Sequence, residues 1–376
     1  MSIRLRFSEE DWERVEQDWS AWWAGELERP LVMIENQVPH PENPFLDLAP
    51  WEDIPVSSFP LEWPVEAVLE YYEQRLEARR FYGDASPKWW PNFGPGIVAG
   101  FLGTQVHCAV ETVWFEPVRR GSASELQLAY DAANPWWRRV QELARAAIER
   151  WGNQVAVGLT DLGGNLDILA SLHTTQQLLY DLYDAPDEVA RLSAEITHLW
   201  LRYYDELQTL IQAAGRGTSC WAPIWSPGRC YMLQSDFAYM ISSPMFERFV
   251  LPDLAACCDH LEHGFYHLDG KGQIRHLDLL LALERLRGIQ WIPGDGQPPP
   301  EEWLPLLARI RGRSRHCGRN GGGGRGKLCQ LSVSPEGALT IVRELGGKGF
   351  ALYIEQAMDQ EEAEQFLHTL NESRKG

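Results

Sequence analysis

From residue 31 onward the chain repeats one phrase: a short apolar run of strand length, a loop rich in Gly, Pro and Asp, then an amphipathic stretch with helical spacing. No other feature constrains the fold as much. Strands that alternate with helices pair in parallel, because each crossover helix returns the chain to start the next strand in the same direction. Candidate strands lie at 31–35, about 88–93, 154–159, 218–224, 264–268, 288–292, 328–333 and 350–354. Candidate helices lie at 65–80, 135–150, 187–214, 243–262, 273–286, 300–311, 335–345 and 359–371. Eight such α/β units closing on themselves make a single (β/α)8 TIM barrel over residues 1–376, with insertions in the early units. The rival is an open doubly wound sheet. That architecture usually carries a Gly-rich phosphate loop after its first strand, and ENQVPHPENP contains no glycine.

Ahead of the first strand, SEEDWERVEQDWSAWWAGELERP reads as an N-terminal helical extension. Ser8 and Asp11 have the S-x-x-D spacing of a helix start, and Trp12, Val15, Trp19, Trp22 and Trp23 then recur at helical spacing. These belong to a set of 17 tryptophans, residues that fill cores and also wall ligand pockets. A net charge of -19 repels a phosphate backbone and argues against nucleic acid, leaving a small-molecule substrate or a protein as partner. Seven scattered cysteines suggest reduced thiols. The first residues lack an apolar signal core, and no run approaches the roughly 18 apolar residues of a membrane span, so no membrane association and a cytoplasmic location are expected. A homodimer is an open alternative to a monomer. One segment departs from the acidic background: RIRGRSRHCGRNGGGGRGK, 309–327, reads as a flexible basic Gly-rich loop, since the spacing of His316, Cys317 and Cys329 fits no zinc knuckle or ribbon.

In a barrel of this kind chemistry sits on loops at the C-terminal ends of the strands. Those positions are Glu35 and Asn36; Asn92; Asp161, Asn165 and Asp167; Trp221 and Trp225; His267 and Asp269; Asp295; Ser332 and Ser334; and Glu355. The tripeptide His-Leu-Asp occurs twice. In the first copy, His267 and Asp269 end a strand and point to one face. The second, His276–Asp278, lies in a helix, where positions two apart diverge. Bland readings stand beside these: His267 as donor to a strand-end carboxylate, Asp269 as a turn or helix cap, Gly163–Gly164 as a plain turn, the tryptophans as core, and Asp295 as part of a PGDG turn. If the carboxylates and indoles converge, they suit a cation or a polyhydroxylated ligand.

Four stretches, NFGPGIVAGFLG, DLGGNLDILASLHTTQQLLYDLYDAPDEVARL, QSDFAYMISSPMFERFVLPDL and YHLDGKGQIRHLDLLLALERLRGIQWIPG, resemble the uroporphyrinogen decarboxylase superfamily, which includes zinc-dependent corrinoid and coenzyme M methyltransferases. The resemblance implies a (β/α)8 barrel with its cleft at the C-terminal mouth. The decarboxylase branch is disfavoured, because its Arg-rich N-terminal segment, its acidic FSD-like stretch and its late NLGHG-like stretch have no counterpart here. In the methyltransferase branch a His-x-Cys and a later Cys hold zinc; His267 matches the His, while Asp269 and Glu355 stand at the Cys positions. The implied function is metal-assisted methyl transfer with a corrinoid partner protein or a small methylated substrate. Zinc would sit on His267, Asp269 and Glu355, Asp161 and Asp269 would be catalytic, and Asn92, Asn165, Trp221, Trp225 and Asp295 would bind substrate. Carboxylate ligands leave zinc a stronger Lewis acid than thiolates do. The alternatives are a metal-free decarboxylase or lyase using Asp161 and Asp269, with Arg229 as its nearest arginine, and a non-catalytic ligand-binding barrel.

Overall fold

A computed structural model describes residues 3–38, 54–109, 113–118, 121–213, 215–312 and 326–373. The strands in chain order are β1 (Leu31–Gln37), β2 (Arg79–Gly83), β3 (Lys88–Trp89), β4 (Gln105–Cys108), β5 (Val113–Glu116), β6 (Ala156–Val157), β7 (Thr218–Ser219), β8 (Trp225–Ser226), β9 (Cys230–Leu233), β10 (His263–Asp269), β11 (Leu286–Ile292), β12 (Leu328–Val333) and β13 (Phe350–Ile354). Seven of them form one sheet in the order β2-β1-β13-β12-β11-β10-β9, parallel except where β2 runs antiparallel to β1. Beyond it, β3 pairs in parallel with β6, and the Leu159 N–H at the end of β6 reaches the Ser219 carbonyl of β7 at 2.9 Å. The α/β class and the parallel pairing agree with the alternation in the sequence. Among the described residues, however, the ladder is continuous over only seven strands and does not close.

The short central pieces explain the departures. The expected strand 88–93 contributes only two ladder residues, and 154–159 likewise two. The expected strand 218–224 is a hairpin arm: Ser219 pairs antiparallel with Trp225. The parallel strand that follows it in space is β9, whose apolar run CYML is hidden behind Pro227 and Gly228. The helix expected over 65–80 ends at Glu77, and the chain reverses into β2 along β1. Two further helices, Asn165–His173 and Thr175–Asp184, were not marked by the sequence pattern. Prolines split others: 243–262 breaks into Ser243–Phe249 and Leu251–His260, with Pro252 at the start of the second. Residues 313–325 of the basic Gly-rich segment, with His316 and Cys317, lie outside the described residues.

The leading helix, α1 (Glu9–Ala24), forms as its caps predict. Ser8 and Asp11 exchange the two hydrogen bonds of a capping box, and Gly25 ends it at φ 73. Its buried face holds Trp12, Val15, Trp19, Trp22 and Trp23. Burying five large apolar side chains contributes on the order of 10 kcal/mol before entropy. Each indole N–H also finds a carbonyl: Gln154 just before β6, Asp84 just before β3, Phe350 at the start of β13, and Trp225. The helix is therefore pinned against the N-terminal ends of the strands, and the C-terminal ends remain for chemistry. No described helix is long and apolar enough to cross a membrane.

Candidate functional site

Parallel strands in register carry equivalent side chains to one level of the sheet. His267 on β10 is paired with Gln290 on β11, and Gln290 with Gln330 on β12. Their side chains form a relay: His267 Nδ1 hydrogen-bonds Gln290 Oε1, and Gln290 Nε2 donates to Gln330 Oε1. An amide oxygen only accepts, so Nδ1 carries a proton, and in the neutral ring Nε2 is the nitrogen with the lone pair. The expected donation from His267 to a carboxylate is replaced by this amide contact. Trp221 presses edge-on to the imidazole, with ring centroids 5.1 Å apart at 83°.

Two residues further along β10, Asp269 projects to the same rim. It supplies no side-chain cap to the turn that begins at Lys271, whose N-cap is Gly270 at φ 74. Its company is His267 and Asp236, and one ligand atom from each of the three lies within 4.8 Å of the others. Asp236 follows β9 and opens a short 3-10 turn, Asp236–Met240. That turn is held by Asp167, whose carboxylate accepts from the Asp236 and Phe237 N–H groups at 3.0 and 2.7 Å. Gly164 makes room for it: a Cβ there would lie 2.1 Å from the Gln234 carbonyl and 2.6 Å from Asp167 Oδ2. Sequence reasoning missed Asp236 because its strand was misplaced. The signal was present in CYMLQSD, an apolar run ending in polar residues.

The carboxylates crowd one another. Burial pushes both Asp161 and Asp167 up to about 7, and the Asp236 charge adds to each. Asp236 is itself raised by desolvation, partly offset by the imidazole of His267 and reinforced by Asp269. A cluster of this kind is relieved by a bound cation. The N, O, O donor set suits zinc. Tetrahedral ligands about 2.1 Å from a metal sit roughly 3.4 Å apart, so the three donors would need to draw in by no more than about 1.4 Å.

Glu355 is not in this group. It lines a cavity of about 330 Å³ with Glu35 at the end of β1, Arg79 of β2, Lys88 of β3, Asn92, Trp90, Ser332 and Tyr353. Trp221 lines the same cavity, so one indole stands between it and His267. Within it Arg79 meets Glu35 at 3.4 Å, both nearly buried. Burial lowers the Lys88 ammonium, which donates to the Ala222 carbonyl at 2.7 Å; burial raises Glu355, with Glu301 adding to the effect.

The remaining expected residues divide. Asn92 lines the cavity and its side chain accepts from the Gly94 N–H. Asp161 is buried, its carboxylate accepting from Gly163 N–H at 2.9 Å and from Gln234. Asn165 is also buried, but its amide donates to the Phe249 carbonyl, which ties two helices together. Trp225 faces α1, taking the Trp23 N–H on its carbonyl and giving its own to Arg216. Asp295 sits on an exposed turn between Gly294 at φ 90 and Gly296 at φ 69. Arg229 precedes β9 at its N-terminal end, bound to Asp205 and His260; the arginine at the cavity is Arg79. In the second His-Leu-Asp copy the side chains diverge as expected, with His276 buried against Phe246 and Asp278 paired to Arg309.

A second groove, of about 640 Å³, opens beside Asp236 and Asp167, with Trp114, Phe115, Thr174 and Met240 on its walls. Thr174 is the single non-glycine residue at positive φ among those described, at 74.

The chain is similar in fold to a methyltransferase from Methanosarcina mazei. The two superpose with a TM-score of 0.55 over 96% of this chain and 98% of that one, at 12% sequence identity. No family model matches the sequence, and no curated protein matches it. The likeness is one of architecture.

Proposed function

We propose that the chain is a metal-assisted methyltransferase, with zinc held by His267, Asp269 and Asp236 and a small methylated compound bound in the adjoining cavity. The convergence of those three donors at one rim, beside an imidazole whose Nδ1 is already committed, is the observation that carries the reading. Glu355, expected among the ligands, is reassigned to the cavity. The shared fold with a methyltransferase supports the class of reaction. A corrinoid protein remains the proposed methyl carrier.

Bound zinc would supply Lewis acidity with no thiolate to soften it. The protein's own parts do the rest. Gln290 holds the Nδ1 proton and so keeps Nε2 free for ligation. Trp221 restrains the ring from the side, and Asp167 anchors the turn that carries Asp236.

The test is elemental analysis of the purified protein and of His267→Ala. Roughly stoichiometric zinc, lost in the variant, is expected. Protein that stays metal-free after zinc addition would end the proposal. Arg79 and Lys88 at the cavity favour one second reading, a metal-free carboxy-lyase gripping a substrate carboxylate. It predicts CO₂ release by chelator-treated protein.

A further inference from the structure

The cavity beside Trp221 is electrically lopsided. Arg79 and Lys88 share one carboxylate, Glu35, and among the described residues the Lys88 ammonium donates to a backbone carbonyl. Glu355 is in no ion pair among the described residues, and its charged neighbour is another carboxylate, Glu301. Two cations sharing one carboxylate, and a carboxylate whose charged neighbour is another carboxylate, are each left short of a counter-charge in one cavity. A ligand of one sign would satisfy one of them and leave the other.

We propose that this cavity binds a zwitterion of amino-acid size, its carboxylate at Lys88 and its ammonium at Glu355. The inference deepens the reading above and rests on it for the role of the ligand as substrate. The cavity's volume of about 330 Å³ holds such a molecule. Trp90 and Trp221 furnish apolar walls, which suit an alkylated ammonium better than a strongly hydrated primary one.

Isothermal titration with three probes tests it: trimethylglycine, tetramethylammonium and propionate, each against the wild type, Lys88→Met and Glu355→Gln. Trimethylglycine is expected to bind at least about tenfold more tightly than either single-charge probe, and each variant to erase most of that margin. Glu355 is exposed, so Glu355→Gln keeps the test decisive should Lys88→Met fail to fold. Propionate or tetramethylammonium matching trimethylglycine, a margin that survives both variants, or no binding of trimethylglycine at millimolar concentration overturns the proposal. Measuring zinc in the wild type and His267→Ala separates the two claims. A wild type that stays zinc-free after zinc addition yet keeps the zwitterion preference refutes the metal reading alone, and a wild type that binds zinc, lost in His267→Ala, without the preference refutes this one alone.

Discussion

Asp253 offers a prediction whose size follows from the structure. It lies in the first turn of the helix Leu251–His260, 9% exposed, and its carboxylate is 2.5 Å from Thr197 Oγ1. The same Thr197 hydroxyl is 2.8 Å from the Ser193 carbonyl. A hydroxyl has one proton, and a carbonyl can only accept, so if Thr197 donates to Ser193 then Asp253 must be the donor in the other bond. That requires a protonated acid. Burial agrees, pushing Asp253 up from 3.8 to about 6. A folded-state pKa raised above the unfolded value gives stability that is complete below about 3.8 and is lost as pH rises towards 6. A rise of about two pH units, at about 1.4 kcal/mol each, makes the full loss about 3 kcal/mol, of which about 2 kcal/mol falls between pH 4.5 and 8. Asp253→Asn keeps the donor and removes the titration. Urea unfolding of wild type and variant at both pH values is the assay. The variant is expected to be the more stable by up to about 3 kcal/mol at pH 8, with a correspondingly flatter pH profile. Asp161 and Asp167 titrate in both proteins and cancel in the comparison. Parallel profiles within about 0.5 kcal/mol, or an Asn variant weaker at pH 8, would refute the protonated-acid argument.

Gln290→Met removes the acceptor that fixes the His267 tautomer, and zinc affinity measured by chelator competition should fall about 10- to 100-fold with little change in fold. Gly164→Ala drives a methyl into the Gln234 carbonyl and the Asp167 carboxylate. It should lower stability by about 1–3 kcal/mol and weaken metal binding through the Asp236 turn, both readable in one thermal-shift series with and without zinc. Thr174→Gly relieves a backbone at φ 74 and loses only a weak cap to Gln177 N–H, so a gain of about 1 kcal/mol in denaturant unfolding is expected. A loss there would mean that Thr174 is not strained.

Much of the scaffold could be read from periodicity because long strands and well-capped helices each carry several agreeing signals. α1 announced itself through Ser8, Asp11 and four spaced tryptophans, and the helix Pro335–Leu345 falls where its periodicity placed it, with Ser334 capping it at Gly337 N–H. The pieces that were misread are short, and a two-residue ladder such as Lys88–Trp89 leaves almost no alternation to detect. The first two residues of β2 fall at the end of the helix expected over 65–80, and only pairing with β1 reveals the strand. That pairing carries Arg79 to Glu35, which is why a cavity arginine went unnoticed. At the site, the spacing of His267 and Asp269 on one strand was enough to place both on one face. The third member depends on where β9 ends in space, a tertiary fact to which local pattern is blind. Trp225 and Asn165 show the converse: both were expected at strand ends, yet their polar atoms are consumed by the backbone of neighbouring elements.

Trp221 is a party wall, with the imidazole on one side and the cavity on the other. Whatever tenant enters the cavity and leans on that indole also changes how firmly the ring of His267 is braced. By linkage the effect runs both ways, so an ion seated at the imidazole must alter the tenant's affinity by the same factor that the tenant alters the ion's. Two chambers that share a partition in this way answer to each other equally, whichever sign the coupling takes.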